Sequence, residues 1–538
     1  SAGVEWAADR MELATIETSP SDFVAGRVER RLRDAGQAPA VRWLDPTAPA
    51  IPQAPAVAEG ELGEVRSVVE AMRDRDGNPL EQRQVDAIVD GLQSRVQLLQ
   101  GPPGTGKTVT TSIAVLARIL LRRSAGDVVL VGANTHAAVD GLLRRIVERR
   151  EQFAEYAAAA GRPMASVRIL RVEPDATGAS AADEEIRATS CVRQLQGLAT
   201  ENVLVIGGTT SKLLKLAQTL AHSFPTFSEL VVDEASMMVF PHFLALATLL
   251  DRDGHAMLAG DHRQLAPILA HDWEREDRPP VELYQPHLSA YDAIARLGEQ
   301  AGLSPRSLRR SALELSFRLP PRVVELIARV YRQDDIQLRG LDRAPDETPN
   351  FGADPWSGMW SGAGGVFLVL HDEQRSRKAN ALEIELLARI CSADGTPAAG
   401  EIAVITPHRA QRELLRARLG DRVALVDTVE RLQGGERSAI IVSGTASDPA
   451  AIAASEQFIL DLNRSNVAFS RVKDRLIVVC ASSLLDHIPN ELEQYDETML
   501  WKALRSTCSN LVADLEVDGH RVLILTPPAT LAHDAAAT

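Results

Sequence analysis

The residues best placed to do chemistry in this 538-residue chain are Gly101-Pro-Pro-Gly-Thr-Gly-Lys107-Thr108. Gly101, Gly104 and Gly106, with Thr105 between them, form a loop whose backbone N–H groups can close around phosphate oxygens. The start of a helix adds partial positive charge there. Lys107 is the group that neutralises β- and γ-phosphates, and the Thr108 hydroxyl is a ligand for Mg²⁺. The run sits between a predicted strand, Val96–Gln100, and a helix predicted over Thr108–Arg122, which is the context this pattern requires. The ligands expected are ATP and Mg²⁺.

A second constellation follows the apolar run Leu230-Val-Val: Asp233-Glu234. At a strand end beside a phosphate loop, Asp233 can hold Mg²⁺ through water. Glu234 can orient and deprotonate an attacking water. Alone, an acidic pair there is more often a solvated turn; the upstream loop changes its meaning.

The elements that must position these groups alternate between helix and buried strand from Leu80 onward. Strand-like runs at 128–132, 167–172, 203–207, 230–233 and 256–259 give the rhythm of a doubly wound parallel sheet. A second set at 366–370, 402–406, 424–428, 439–443 and 476–480 predicts another. The fold class expected is α/β: two tandem lobes with parallel sheets, helical insertions and terminal extensions. The boundaries read as a helical segment and Pro-rich linker or surface strap at 1–79, with the Pro/Ala-rich run at Asp45–Val57. A first lobe follows at 80–310 with an insertion near 148–200 and a surface loop at Pro174–Asp183. A polar junction is read at His271–Arg310. The second lobe spans 311–485, and a helical extension with an Ala-rich tail spans 486–538.

Further motifs carry a resemblance. Ala133-Asn-Thr-His-Ala-Ala-Val139-Asp140, Asp233-Glu234-Ala235, Leu258-Ala-Gly-Asp-His-Arg-Gln264-Leu-Ala-Pro267, Leu315-Ser-Phe-Arg-Leu-Pro320, Val426-Asp-Thr-Val-Glu-Arg-Leu-Gln433-Gly-Gly-Glu436 and Asn466-Val-Ala-Phe-Ser-Arg471 occur in this order. They resemble the motifs of superfamily 1 helicases, in the 1B branch that holds the nonsense-mediated-decay helicase and the replication nuclease-helicase. The match covers about Leu80 to Ser482 and implies two RecA-like domains. It also implies that Gln84 reads the adenine edge, Phe317 stacks on the adenine face, and Glu436 binds the ribose. Gln264 senses the γ-phosphate, and Arg318 and Arg471 reach it from the second lobe. For nucleic acid it implies contacts at or beside Thr135, His136, Thr209, Thr406, His408, Arg409 and Thr428. The sequence departs from the family at Asn134, usually Pro; at Met237, often Gln; and at Leu319-Pro320, commonly Met-His. The implied activity is ATP-driven movement on single-stranded DNA or RNA, with DNA favoured and 5′-to-3′ polarity. The same motifs fit an ATP-regulated clamp that does not separate strands. A chain opening on Ser1 reads as a fragment or processed product. The branch suggests a fused or associated RecB-like nuclease domain upstream, which would point to DNA processing or repair.

Whole-chain properties set the background. The net charge of −15 argues against coating nucleic acid over a broad surface but allows a local basic channel. Cys191, Cys391, Cys480 and Cys508 have neither CxxC nor zinc spacing, so no zinc or iron–sulfur site is expected, and reduced thiols are. No apolar run is long enough to span a bilayer and no signal-peptide pattern opens the chain. A cytoplasmic location is the expectation.

Overall fold

The computed structural model describes residues 23–36, 38–45, 50–74, 76–172, 186–189, 198–220, 227–267, 287–341, 351–352, 354–362, 364–432, 435–489 and 491–528. The first 22 residues, the loop expected at Pro174–Asp183, Cys191, the Gln433-Gly434 pair, the whole of 268–286 and the Ala-rich tail from 529 lie outside them.

The first lobe is built on strands β1 (Val96–Gln100), β2 (Val128–Ala133), β3 (Val167–Val172), β4 (Ile186–Thr189), β5 (Val203–Thr209), β6 (Phe227–Val232), β7 (Leu250–Gly260) and β8 (Leu308–Ala312). They form an eight-stranded sheet in the order β4-β3-β5-β2-β6-β7-β1-β8, and every pairing is parallel. Strands β1, β2 and β6 are buried along their whole length. Their continuous Val/Leu runs therefore reflect a sheet covered on both faces.

A two-residue pair, β9 (Leu315–Ser316) and β10 (Arg339–Gly340), opens the second lobe. Its main sheet holds β11 (Gly365–His371), β12 (Ile402–Ile405), β13 (Leu425–Asp427), β14 (Arg437–Ser443), β15 (Val472–Ala481), β16 (Asn510–Val517) and β17 (His520–Thr526). The order is β13-β12-β14-β15-β11-β17-β16. The lobe is thus α/β like the first, and the chain carries two such domains in tandem.

Three boundaries differ from the sequence reading. The stretch 148–200 is only in part an addition to the lobe: the helix His136–Ala159 runs through its start, and β3 pairs with β5 inside the sheet. The first lobe continues past 310, because β8 pairs with β1 up to Ala312. The segment after 485 is not wholly helical, since β16 and β17 form an antiparallel hairpin that extends the second sheet. The alternation Val522, Ile524 inward and Arg521 outward marks that hairpin. A period-two signal in so short a run is easily overlooked.

The Pro-rich stretch is a strap rather than a free linker. Ile51 and Ala54 are buried. The Ala54 N–H donates to the Arg306 carbonyl at 2.9 Å, and Arg95 donates to the Gln53 carbonyl. Among the described residues no helix is long and apolar enough to cross a membrane. Cys391, Cys480 and Cys508 are free and buried.

Candidate active site

The phosphate loop leaves the C-terminal end of β1. The Gly101 N–H donates to the Gly260 carbonyl at 3.0 Å, fixing the loop to β7. Gly104 and Gly106 both have φ of 76°, a left-handed conformation that glycine adopts without a Cβ penalty. Gly106 caps the helix Lys107–Arg122. A Cβ on Gly101 would meet the Lys107 side chain at 2.6 Å, so the absent side chain lets Lys107 turn back along the loop.

Gln84 braces this loop: a Cβ on Gly106 would meet its Nε2 at 2.7 Å and the Phe317 ring at 3.8 Å. It is buried, and its Nε2 donates to the Thr105 carbonyl at 3.1 Å. Its Oε1 accepts from the Glu81 N–H in a capping box that starts the helix Gln82–Gly91. These contacts use two of the four hydrogen-bonding positions of a carboxamide.

A cleft of about 610 Å³ lies between the lobes. Lys107, Thr108, Asp233, Glu234 and Gln264 line it from the first lobe; Phe317, Arg318, Glu436 and Arg471 line it from the second. The second lobe is stitched directly to the loop. The Phe317 N–H donates to the Gly104 carbonyl at 2.9 Å, and the Ser316 hydroxyl donates to the Pro103 carbonyl at 2.9 Å. A Cβ on Gly104 would stand 2.5 Å from Ser316 Oγ and 2.8 Å from Arg318 Cβ. Phe317, 39% exposed, shows its ring to the cleft instead of the core.

The acidic pair follows β6. Asp233 is buried, and burial pushes its carboxyl above the ordinary value against the opposing charge of Lys107. Glu234 has φ of 54°, rare for a residue with a Cβ, which marks a conformation held by its surroundings. Burial and the neighbouring Asp233 raise its carboxyl, opposed by Lys107, Arg471 and a hydrogen bond with Thr135. Its Oε2 is buried and has no hydrogen-bond partner among the described residues.

Across the cleft, Arg471 Nη2 donates to Gln264 Oε1 at 3.1 Å. Gln264 Nε2 in turn donates to Asp261 at 2.8 Å. Burial and the nearby Arg318 push the Arg471 guanidinium down to about 10. Its Nε has no hydrogen-bond partner among the described residues. Arg318 donates to Glu436 at 3.0 Å and to the Ser470 carbonyl at 2.7 Å. Burial would raise Glu436, but hydrogen bonds from Lys473 and Arg318 hold it below its ordinary value.

Two basic residues in the cleft escaped the sequence reading. Lys473 lies 2.7 Å from Glu436. Its signal was there: it stands two residues after Arg471 at a strand start, so both fall on one side. Arg145 comes from the helix His136–Ala159 and pairs with Glu148 at 2.7 Å. No local pattern marks it.

The residues expected to touch nucleic acid cluster at the C-terminal ends of strands. Ala133 of β2 is in register with Thr209 of β5. Thr135 caps the next helix through the Ala138 N–H, and exposed His136 meets Arg171 at 2.8 Å. In the second sheet Ile405 is in register with Asp427, so His408, Arg409 and Thr428 emerge together. Thr406 does not reach this surface. It is fully buried, its hydroxyl is 2.8 Å from that of Thr445, and its N–H donates to the Asp427 carbonyl.

The family departures have a structural counterpart. Met237 and Leu319 belong to one apolar cluster, with Leu265 and Val323, that crosses between the lobes.

Residues 79–205 and 366–483, one segment in each lobe, match family models described as AAA domains. The "DNA replication ATP-dependent helicase/nuclease JHS1" of Arabidopsis thaliana is 25% identical over 73% of this chain and 27% of its own length. The "DNA replication ATP-dependent helicase/nuclease DNA2" of Gallus gallus is 26% identical over 77% of this chain and 37% of its own. The "Regulator of nonsense transcripts 1 homolog" of Drosophila melanogaster is 24% identical over 74% and 34%. The chain spans well under half the length of these relatives.

Proposed function

As a member of superfamily 1B of the helicases, this chain, we propose, hydrolyses ATP in the cleft between its lobes and uses the cycle to move along single-stranded nucleic acid. The observation that carries this reading is the Arg471–Gln264 contact across the cleft, at 3.1 Å. It sets a second-lobe cation against the first-lobe carboxamide that borders the same space as Lys107 and Glu234.

In this reading the loop N–H groups and Lys107 bind the phosphates, and Phe317 offers its ring face to the base. Thr108 and Asp233 are hard oxygen donors facing one cleft, and the raised carboxyl of Asp233 suits a site made to accept a cation. They would hold Mg²⁺, which supplies charge neutralisation at the phosphates when bound. Glu234 Oε2 takes the proton of the attacking water as its oxygen bonds to the γ-phosphorus and the bond to the β-phosphate oxygen breaks. Arg318 and Arg471 meet the charge that develops. The loss of that charge on product release removes the attraction that holds the second-lobe arginines to the first lobe. Alternating closure and opening then moves the two strand-end surfaces relative to one another.

The track is single-stranded DNA, with RNA as the alternative substrate. Thr135, His136, Thr209, His408, Arg409 and Thr428 touch the strand, and polarity is 5′-to-3′. The test measures ATP turnover with and without single-stranded DNA, then displacement from duplexes with 5′ or 3′ tails. Stimulation by the strand and preference for the 5′ tail are expected. Turnover indifferent to nucleic acid would sink the reading. Stimulation without displacement would leave an ATP-regulated clamp.

A further inference from the structure

On the second lobe, beside the strand ends but away from the ATP cleft, lies a separate cavity of about 510 Å³. Lys378, His408, Phe458 and Gln494 line it. Lys378 comes from the loop between β11 and the helix Ala381–Ile390. His408 lies between β12 and the helix it precedes, Arg409–Leu419. Both loops therefore leave the same end of the sheet as Thr428.

Phe458 is a large aromatic ring left 38% exposed. The Arg464 guanidinium lies over it, 4.4 Å from the ring centre. Arg464 is absent from the cavity lining, whereas Phe458 is part of it. The cation thus orients the ring from outside the cavity. The His408 ring sits 5.7 Å from that of Phe458. Two buried polar atoms accompany these rings without hydrogen-bond partners among the described residues: His408 Nε2 and Gln494 Oε1. Burial and Lys378 keep the His408 imidazole below its ordinary value, hence neutral near pH 7. The acid in the wall, Glu456, is committed to His487 at 2.6 Å.

An oriented aromatic, a neutral imidazole, an unsatisfied amide oxygen and one cation are the parts that hold an unpaired nucleobase and its phosphate. We propose that this cavity takes one base of the single strand, stacked on Phe458 and hydrogen-bonded at its edge by Gln494 and His408, with Lys378 facing the adjoining phosphate. The proposal rests on the nucleic-acid reading above and adds a base contact to it.

The test is fluorescence anisotropy of the full chain on single-stranded DNA, against the same strand made abasic. F458A should weaken binding to the base-bearing strand about 5- to 100-fold, the range that loss of one stacked base gives. It should leave the abasic strand bound as by the parent. F458W should restore binding, and Q494A should show a smaller loss confined to the base-bearing strand. Should F458A fold poorly, F458W and Q494A carry the comparison alone. Equal loss on both strands, or no loss on either, overturns the base pocket while the strand-binding reading stands. A parent chain that binds neither strand removes both.

Discussion

Asp334 holds Arg263 by both carboxylate oxygens, 2.9 Å to Nε and 2.5 Å to Nη2, across the boundary between the lobes. It also meets His262 Nε2 at 3.0 Å and Gln100 Nε2 at 3.3 Å. Three more contacts reach the same segment from the second lobe. Tyr331 donates to Asp261 at 2.7 Å, Asn466 to the Arg263 carbonyl at 2.6 Å, and Asn463 to the His262 carbonyl at 3.1 Å. Residues 261–263, directly before Gln264, are therefore gripped by the second lobe, and Gln264 is the residue that meets Arg471.

This grip predicts a separation of binding from turnover. D334N keeps the shape and removes the charge that the forked guanidinium matches. The proposed γ-phosphate contact at Gln264 should lose its register with the second lobe, with a smaller effect at the phosphate loop, which Asp334 adjoins through its longer 3.3 Å contact to Gln100. The expected result is a fall in kcat of about 2- to 30-fold, the range of a coupling of ~0.5–2 kcal/mol, with KM for ATP nearly unchanged. Steady-state ATPase measurements check it, and a rise in KM alone would contradict it.

The same cluster predicts a pH dependence of stability. Burial would lower His262, but its hydrogen bond and charge contact with Asp334 raise it above its ordinary value. Burial would raise Asp334, but Arg263 and His262 hold it well below the usual carboxylate range. The stability that His262 contributes is complete below about pH 6.5 and is lost as pH rises through the raised value. The stability that Asp334 contributes is complete above about pH 4 and is lost as pH falls through the depressed one. Denaturant titrations should show stability declining above about pH 6.5, and H262Q should flatten that decline.

Much of the cleft was legible because each motif packs its chemistry into a few consecutive residues next to one strand. The phosphate loop, Asp233-Glu234, Arg318 and Arg471 all reach one cleft for this reason. What the sequence concealed depends on long-range packing. Asp334 has no motif around it, and its partner Arg263 lies 71 positions away. Thr406 directly follows a strand end yet is sealed beneath the surface by Thr445, just past the neighbouring strand β14. Gln84 has the right type and place, but its capping box and its bond to the Thr105 carbonyl depend on packing that no motif spells out.

Gly104 gives a steric test of the contact between lobes. G104A would place a Cβ against Ser316 and Arg318 in a left-handed conformation. Gly126 is also left-handed, with φ of 101°, but a Cβ there meets nothing within 4 Å. G126A therefore measures backbone strain alone, about 1–3 kcal/mol. It should lower the Tm and spare ATP turnover. G104A should lower the Tm at least as much and also raise KM for ATP, because the clash pushes Phe317 and Arg318 from the loop. Equal kinetic effects in the two variants would show that the contact between lobes is not what matters.

Glu234 and Arg471 should fail in different ways. E234Q keeps the side chain's volume but cannot accept the water's proton at Oε2. ATP should still bind while turnover falls about 10²- to 10⁴-fold. R471A removes the second-lobe cation that meets developing charge, with a loss of about 10³-fold or more. R471K, which keeps the charge but not the fork, should recover only part of it. The pH profile separates the two roles. Because burial and Asp233 raise Glu234, kcat/KM of the parent should fall as pH drops through that raised value, since the protonated carboxyl no longer acts as a base. That acid limb should vanish in E234Q and persist in R471K. An acid limb unchanged in E234Q would assign the base to another residue.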